Sequence, residues 1–257
     1  MADRRKQAVS VVAVVVVWQL ATGVFEVVSS AVLPSPVEIT IALGALLFDT
    51  RFLGHVGTTL WRTAVAAAIA VPAGIAVGVA MGWNDRVHRG VSPLLYALYP
   101  MPVVALLPLI LVIFGSGDRA LIFVAALGGF FLLVWNAAAA VENVDPVYFE
   151  VARDNGATST TTLFREVLLP GSLSLLFTGF RVCLSTALLV VIATEFIAAN
   201  SGLGFFLWQS WRSYLLADLY AAVLVIGLFG IAITYGLGVL YKRLVPWETE
   251  LDGPVFV

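Results

Sequence analysis

The sequence predicts an all-α protein that crosses a membrane several times, and three observations support this fold class. Apolar residues of the set AVILMFWYC make up 61% of the 257 residues, charged residues make up only 12%, and the mean hydropathy is +1.00. A soluble domain carries about 25% charged residues, so this chain cannot cover a globule of its size with a polar surface. The apolar runs are also long and do not alternate with polar residues, which argues against the strands of a membrane barrel.

The same composition excludes several functional classes. The formal net charge is −2, so there is no basic field to hold nucleic acid. Cys183 is the single cysteine, which excludes an internal disulfide and a multi-cysteine metal centre. The two histidines, His55 and His88, are far apart in the sequence, so neither a metal site nor histidine-based catalysis is supported. We therefore expect no metal, no cofactor held by this chain and no nucleic-acid partner.

Six segments satisfy the requirement of about 20 apolar residues for a transmembrane helix. They are residues 7–25, 56–82, 91–114, 120–141, 173–199 and 219–241. At this length the chain is expected to form one integrated transmembrane domain, residues 1–257.

The first of these segments has a second interpretation as a cleaved signal peptide. Basic residues precede it, and the small residues Ser29, Ser30 and Ala31 follow it, as at a cleavage site. Cleavage would leave five spans with the same orientation and a new N-terminus outside.

The distribution of basic residues predicts the orientation of the spans. If the N-terminus is cytoplasmic, nine of the 14 Lys and Arg residues lie on the cytoplasmic side. Arg51, Arg119 and Arg212 then lie outside, and Arg62 and Arg181 lie within spans. We therefore expect both termini of this multi-pass protein in the cytoplasm.

A short helix is predicted between the first two spans. Ser35 has the position of an N-cap, Pro36 follows as the first helical residue, and Glu38 completes a capping box. This helix either lies along the outer membrane interface or packs on the bundle as part of a loop.

The longest hydrophilic segment, residues 142–170, lies on the cytoplasmic side in this orientation. Asp145 is placed to cap a helix that begins at Pro146, and Asn155-Gly156 is placed to end it. Thr158 or Ser159 is placed to cap a second helix, which is predicted to end at Pro170. They predict two short helices that meet at a glycine corner. Such a bent pair either docks in a groove of another protein or merely joins two spans.

Two parts of this segment, Glu150 to Ala157 and Val167 to Pro170, resemble the EAA loop of ATP-binding cassette (ABC) importer permeases. Val151 replaces the first alanine of that pattern, and the spacer after Gly156 is one residue longer than in the pattern. Residues 33 to about 247 are similar to the nitrate/sulfonate/taurine branch of these permeases. The supporting stretches include Leu33-Pro34-Ser35-Pro36, Tyr99-Pro100-Met101-Pro102, Gly179-Phe180-Arg181 and Gly202-Leu203-Gly204.

The resemblance implies a type I ABC importer permease fold in a prokaryotic plasma (inner) membrane. It further implies a homodimer, two ATP-binding cassette subunits that carry ATP and Mg, and an extracytoplasmic solute-binding protein. The resemblance assigns ATPase coupling to Glu150, Ala152, Arg153, Gly156, Ala157 and Pro170. No Walker motif is present, so the chain is expected to be a permease and not the ATPase.

Candidates for the translocation pathway lie in the third and fifth spans. The third span contains four prolines, and such backbone breaks persist in lipid where protein or water satisfies the freed groups. The candidate residues are Pro100, Met101, Pro102, Ser185, Thr186 and Thr194. The alternatives are a buried kinked helix and hydroxyls that bond between helices.

Arg181 and Glu195 are charged residues within the fifth span. They are fourteen residues apart, a rise of roughly 21 Å on a helix, so they cannot pair with each other. We favour structural roles for both, and Glu195 is placed to anchor a gate loop. Trp208, Trp211 and Tyr214 fit an outer aromatic belt, with contact to a binding protein as the alternative.

Two other functional classes compete with the importer. An ATP-independent secondary carrier or channel would require no cytoplasmic docking loop, and such carriers often contain inverted repeats, which are not obvious here. An intramembrane enzyme would need paired catalytic groups at one depth, and none is evident. Substrate identity does not follow from this chain, because specificity in such importers resides mostly in the binding protein.

Overall fold

The computed structural model describes residues 2–25, 27–29 and 32–245. Their α-helices are α1 (Ala2–Gln19), α2 (Pro36–Leu46), α3 (Thr50–Trp83), α4 (Asp85–Leu98), α5 (Leu107–Phe114), α6 (Asp118–Glu142), α7 (Pro146–Asp154), α8 (Thr160–Leu163), α9 (Leu169–Ala198), α10 (Leu203–Arg212) and α11 (Leu216–Leu244). These described residues contain no strand, so the predicted all-α class is confirmed. Ser30 and Ala31, which the signal-peptide interpretation uses, lie outside them.

Among the described residues, four helices are long and apolar enough to cross a membrane, and a fifth span results if one bent pair is counted together. The four are Thr50–Trp83, Asp118–Glu142, Thr160–Ala198 and Leu216–Arg243. The bent pair corresponds to the predicted third span: Asp85–Leu98 and Val103–Phe114 meet at 81°. The apolar N-terminal helix Val9–Val24 rises only about 24 Å, less than the roughly 30 Å hydrocarbon core. The predicted count of six is therefore not confirmed by the described residues.

Pro170 does not end a helix, contrary to the sequence prediction. One continuous helical segment runs from Thr160 to Ala198. A π-helical turn, Phe164–Leu168, ends two residues before Pro170, and the Leu169 amide donates to the Phe164 carbonyl across it. Because π turns widen the helix locally, the chain accommodates a residue that lacks an N–H and continues into α9.

The chain divides into two compact units, and the first comprises Met1–Thr59 and Glu195–Phe229. Its core joins α2, the start of α3, α10 and the start of α11 through buried apolar side chains, among them Ile39, Phe52, Leu203, Ala222 and Val225. The predicted capping box of α2 is present: the Glu38 amide donates to Ser35 Oγ, and the Ser35 amide donates to Glu38 Oε2 at 2.7 Å.

The second unit comprises Leu60–Thr194 and Gly230–Val257, of which residues beyond 245 are not described. Small residues bring its helices together. A methyl group at Gly78 of α3 would lie 2.6 Å from Ala137 Cβ of α6, and one at Gly129 of α6 would lie 2.8 Å from Cys183 Sγ of α9. These distances are too short for a real side chain, so glycine is required for the close approach.

Candidate functional site

The helical corner on residues 145–157 lies in the second unit and forms through local hydrogen bonds. Asp145 Oδ1 accepts from the Val147 amide at 2.9 Å, which caps α7 as predicted, and Pro146 is its first residue. At the other end, the Ala157 amide donates to the Ala152 carbonyl and the Gly156 amide donates to the Arg153 carbonyl. This is a Schellman motif with glycine at the residue that must adopt positive φ.

Gly156 has φ +93°, and a methyl group built there would meet nothing within 4 Å. The need for glycine is therefore conformational and not a matter of space, as the sequence predicted for a tight corner. The second predicted cap is also present, because Ser159 Oγ accepts from the Thr162 amide at 3.0 Å ahead of α8.

Aromatic contacts fix one side of the corner to the end of α3. The Phe149 ring of α7 lies 5.9 Å from the Trp83 ring, and the Phe164 ring lies 6.1 Å from it. Phe149 and Phe164 also pack on a buried cluster formed by Val141, Val144 and Leu168. The corner is therefore seated on the helices that carry it.

The opposite side of α7 is exposed and mixed in character. Val147, Tyr148 and Val151 are 54%, 63% and 53% exposed. Glu150, Arg153 and Asp154 are exposed among them. Apolar side chains at i and i+4 with charges beside them form a helical face suited to a groove on another protein.

The structure places the six predicted coupling residues at different positions relative to this face. Glu150 and Arg153 are exposed on α7, whereas Ala152 and Ala157 are half-buried and joined by the corner hydrogen bond. Gly156 forms the corner itself. Pro170 is half-buried in the first turn of α9, so it is not part of the corner.

The arrangement has the chemistry of a binding surface. Among the described residues, no three His, Cys, Asp or Glu side chains are grouped so that they could hold a metal ion. At the root of the loop, His88 Nδ1 lies 3.2 Å from Glu142 Oε1, and both groups are partly exposed.

The predicted pathway residues lie at two kinds of position. Pro100, Met101 and Pro102 form the 81° bend between α4 and the helical turn that precedes α5, and all three are exposed. On α9, Ser185 and Thr186 are half-buried. Thr194 is buried and its hydroxyl donates to the Val191 carbonyl of its own helix at 2.9 Å.

Sequence reasoning missed the partners of two charged residues within spans. Arg62 is buried, and its Nε and Nη2 donate to Asp118 Oδ1 at 2.9 and 2.6 Å, which ties α3 to the start of α6 in the second unit. In the first unit, Glu195 is 0% exposed and receives a hydrogen bond from Thr59. A charge within a span implies a nearby partner, but the sequence does not indicate which residue it is.

The fold and the corner together define a polytopic α-helical membrane protein with an exposed, partly apolar helical face on one of its loops. Residues 70–249 match the family model described as binding-protein-dependent transport system inner membrane component. The chain belongs to this family, whose members are permease subunits of ABC importers.

Individual relatives agree with this assignment. The chain is 33% identical to the taurine transport system permease protein TauC of Escherichia coli (strain K12) over 241 residues, which cover 91% of this chain and 86% of the relative. It is 29% identical to the nitrate import permease protein NrtB of Leptolyngbya laminosa, over 79% of this chain and 72% of the relative. These relatives support the predicted nitrate/sulfonate/taurine branch.

A solved structure shows the same fold. A chain of the MetNI methionine ABC transporter in an inward-facing conformation superposes with a TM-score of 0.63 at 18% identity, over 76% of this chain and 99% of that chain. This confirms the type I importer permease fold. The family assignment and the relatives favour the importer over the ATP-independent carrier or channel, and the ATPase activity lies in a partner subunit.

Proposed function

We propose that this permease is coupled to its ATPase subunits through the corner on residues 145–157. The observation that carries the proposal is the two-sided character of α7: one side is fixed on Trp83, while Val147, Tyr148 and Val151 are exposed on the other. A rigidly seated helix with a free apolar face transmits the movement of a bound partner to the helices beneath it. Glu150, Arg153, Gly156 and the half-buried Ala152 and Ala157 set the charge and shape of this surface, and Pro170 supports it from the start of α9.

The complete transporter in this proposal contains two copies of this chain, each a single transmembrane domain. It also contains two ATP-binding cassette subunits with ATP and Mg, and an extracytoplasmic solute-binding protein. Both termini of the permease are cytoplasmic, as the distribution of basic residues favours. This orientation puts the corner on the same side of the membrane as the ATP that drives transport.

The proposed pathway includes the bend at Pro100, Met101 and Pro102 and the hydroxyls of Ser185, Thr186 and Thr194. The bend supports this role because backbone breaks in membrane proteins are stable where they line a cavity or are covered by protein. The proposed cargo is a small solute with a sulfonate group, or nitrate, which the names of the two relatives above support. The solute retained by the co-purified binding protein tests this directly.

The coupling proposal is tested by a charge placed in the exposed face. We expect Val151→Asp to weaken co-purification of the ATPase subunits by about tenfold or more, because a carboxylate must lose its water in an apolar groove. Solute uptake into proteoliposomes falls in parallel.

Thr161→Asp is the matched control, since it adds the same charge to an exposed position of α8. Full retention of the ATPase by the Val151 variant would contradict the proposed surface. Uptake by a wild-type permease that binds no ATPase would instead contradict the importer itself.

A further inference from the structure

The N-terminus of α10 is held by side chains from two other helices of the first unit. The Gly202 amide donates to His55 Nδ1 at 3.0 Å, and the Leu203 amide donates to Thr59 Oγ1 at 2.7 Å. The Gly204 amide donates to Glu195 Oε2 at 3.0 Å. Three consecutive amides that have no partner within their own helix are thus satisfied by α3 and α9.

This external cap follows from the residue at the N-cap position. Gly202 has no side chain to accept a hydrogen bond from its own helix, and its φ is +105°. A methyl group built on Gly202 would collide with the Glu195 carboxylate. The glycine therefore both requires an external cap and leaves the space in which the carboxylate lies.

The cap is buried and internally connected. Thr59 and Glu195 are fully buried, and the Thr59 hydroxyl donates to the Glu195 carboxylate at 2.8 Å while it accepts from Leu203. His55 and Thr59 are four residues apart, so they lie on one face of α3. A carboxylate at a helix N-terminus also interacts favourably with the helix dipole. The position of α10 is therefore determined by its attachment to α3 and α9.

The C-terminal end of α10 presents aromatic and cationic side chains. The Trp208 and Trp211 rings are in tilted contact with centroids 5.2 Å apart, and Arg212 lies over the Trp208 ring. Tyr214 is 86% exposed and, among the described residues, is the single non-glycine residue with positive φ, at +56°. Exposed Trp, Tyr and Arg held in a defined conformation are typical of residues that dominate protein interfaces.

We propose that His55, Thr59 and Glu195 are positioning residues that set α10 so that Trp211, Arg212 and Tyr214 contact the extracytoplasmic solute-binding protein. This inference rests on the proposed function, since it requires the binding protein and the outer location of α10. The positively charged guanidinium group of Arg212 favours a partner surface that carries a carboxylate. An aromatic belt in lipid would need neither a buried three-point cap nor a tyrosine at positive φ, so we favour the protein partner.

The test uses the complete transporter, with its ATPase subunits, in proteoliposomes. ATP hydrolysis is measured while the concentration of the solute-loaded binding protein is varied. We expect Thr59→Val, which keeps the shape but loses the hydroxyl, to raise the concentration for half-maximal stimulation about fivefold. Thr59→Ser keeps the hydroxyl and is expected to restore the wild-type value, with the maximal rate little changed in either variant.

A second pair of variants tests the surface without touching the cap. Trp211→Ala is expected to raise the half-maximal concentration, whereas Trp61→Ala, at an equally exposed tryptophan of α3, leaves it unchanged. The two tryptophan variants still test the inference if the Thr59→Val permease fails to assemble.

An unchanged half-maximal concentration in Trp211→Ala would overturn the inference, and reduced stability in lipid in that variant would assign the tryptophan to the membrane interface. A purely structural role of the cap would lower the maximal rate with the amount of assembled protein and leave the half-maximal concentration unchanged. If the wild-type transporter shows no stimulation by any binding protein, the proposed function has failed and not this inference alone.

Discussion

The two short helices α7 and α10 differ in what holds their ends. Asp145 and the Schellman motif at Gly156 cap α7 from residues of its own segment. The N-terminus of α10 is capped by His55, Thr59 and Glu195, which belong to other helices. A helix with local caps retains its shape when its exposed face binds and releases a partner, whereas a helix with external caps has a defined position only where those helices are assembled.

The largest effect that this comparison predicts is at Glu195. Glu195→Ala removes the acceptor of the Gly204 amide and of the Thr59 hydroxyl, both of which are buried. We expect a loss of about 3 kcal/mol in stability, since each unsatisfied buried donor costs about 1–3 kcal/mol. Thermal unfolding of the purified permease in nanodiscs measures this loss, with Glu38→Ala, at an exposed residue of the locally capped α2, as the control. Equal melting temperatures for both variants would remove the distinction between external and local caps.

An intermediate effect is expected at Gly156. Gly156→Val forces a β-branched residue to positive φ, which costs about 1–2 kcal/mol, although a Cβ atom at this position meets no neighbour within 4 Å. We expect normal amounts of protein in the membrane but loss of solute-stimulated ATP hydrolysis and uptake, because the corner no longer forms. Gly156→Asn is the matched comparison, since asparagine tolerates this conformation, and it should retain most of the activity. Normal uptake by the valine variant would show that the corner geometry is dispensable.

The smallest effect is expected at the N-cap of α7. Asp145→Ala removes the acceptor of the Val147 amide and costs about 1 kcal/mol, which corresponds to about fivefold more frequent local opening. Hydrogen exchange of the first-turn amides of α7 measures it, and Asp145→Asn, which keeps an acceptor, should restore protection. If exchange is unaltered in the alanine variant, contacts with Trp83 and not the cap maintain α7.

Local features of both regions were predictable from the sequence because the signal and its effect lie within a few residues. Asp145, Gly156 and the Ser35 capping box each act over two to five positions, and the structure confirms them. Pro170 was predicted wrongly as a helix end, because a π turn in the preceding residues accommodates the ring. The predicted six spans are also more than the described residues show. The length of an apolar run does not indicate that the third span bends, or that the N-terminal apolar helix is shorter than a full span.

Pairings between distant residues were not predictable in the same way. Arg62 and Glu195 were visible as charges within spans, but their partners Asp118 and Thr59 are 56 and 136 residues away in the sequence. Composition indicates that a buried charge must be satisfied, and only packing decides by which residue.

By itself, the sequence determined that this protein is an α-helical membrane protein, where its polar corner lies and how the ends of that corner are capped. Apolar composition is a property of the whole sequence, whereas helix caps and the positive φ of Gly156 depend on residues close to one another in the chain, so the sequence alone indicates all three. The tertiary structure decided which side of α7 is exposed, because Trp83, which covers the other side, belongs to another helix. It also decided the position of α10, because Gly202 offers no cap and the three acceptors come together only when α3 and α9 pack beside it.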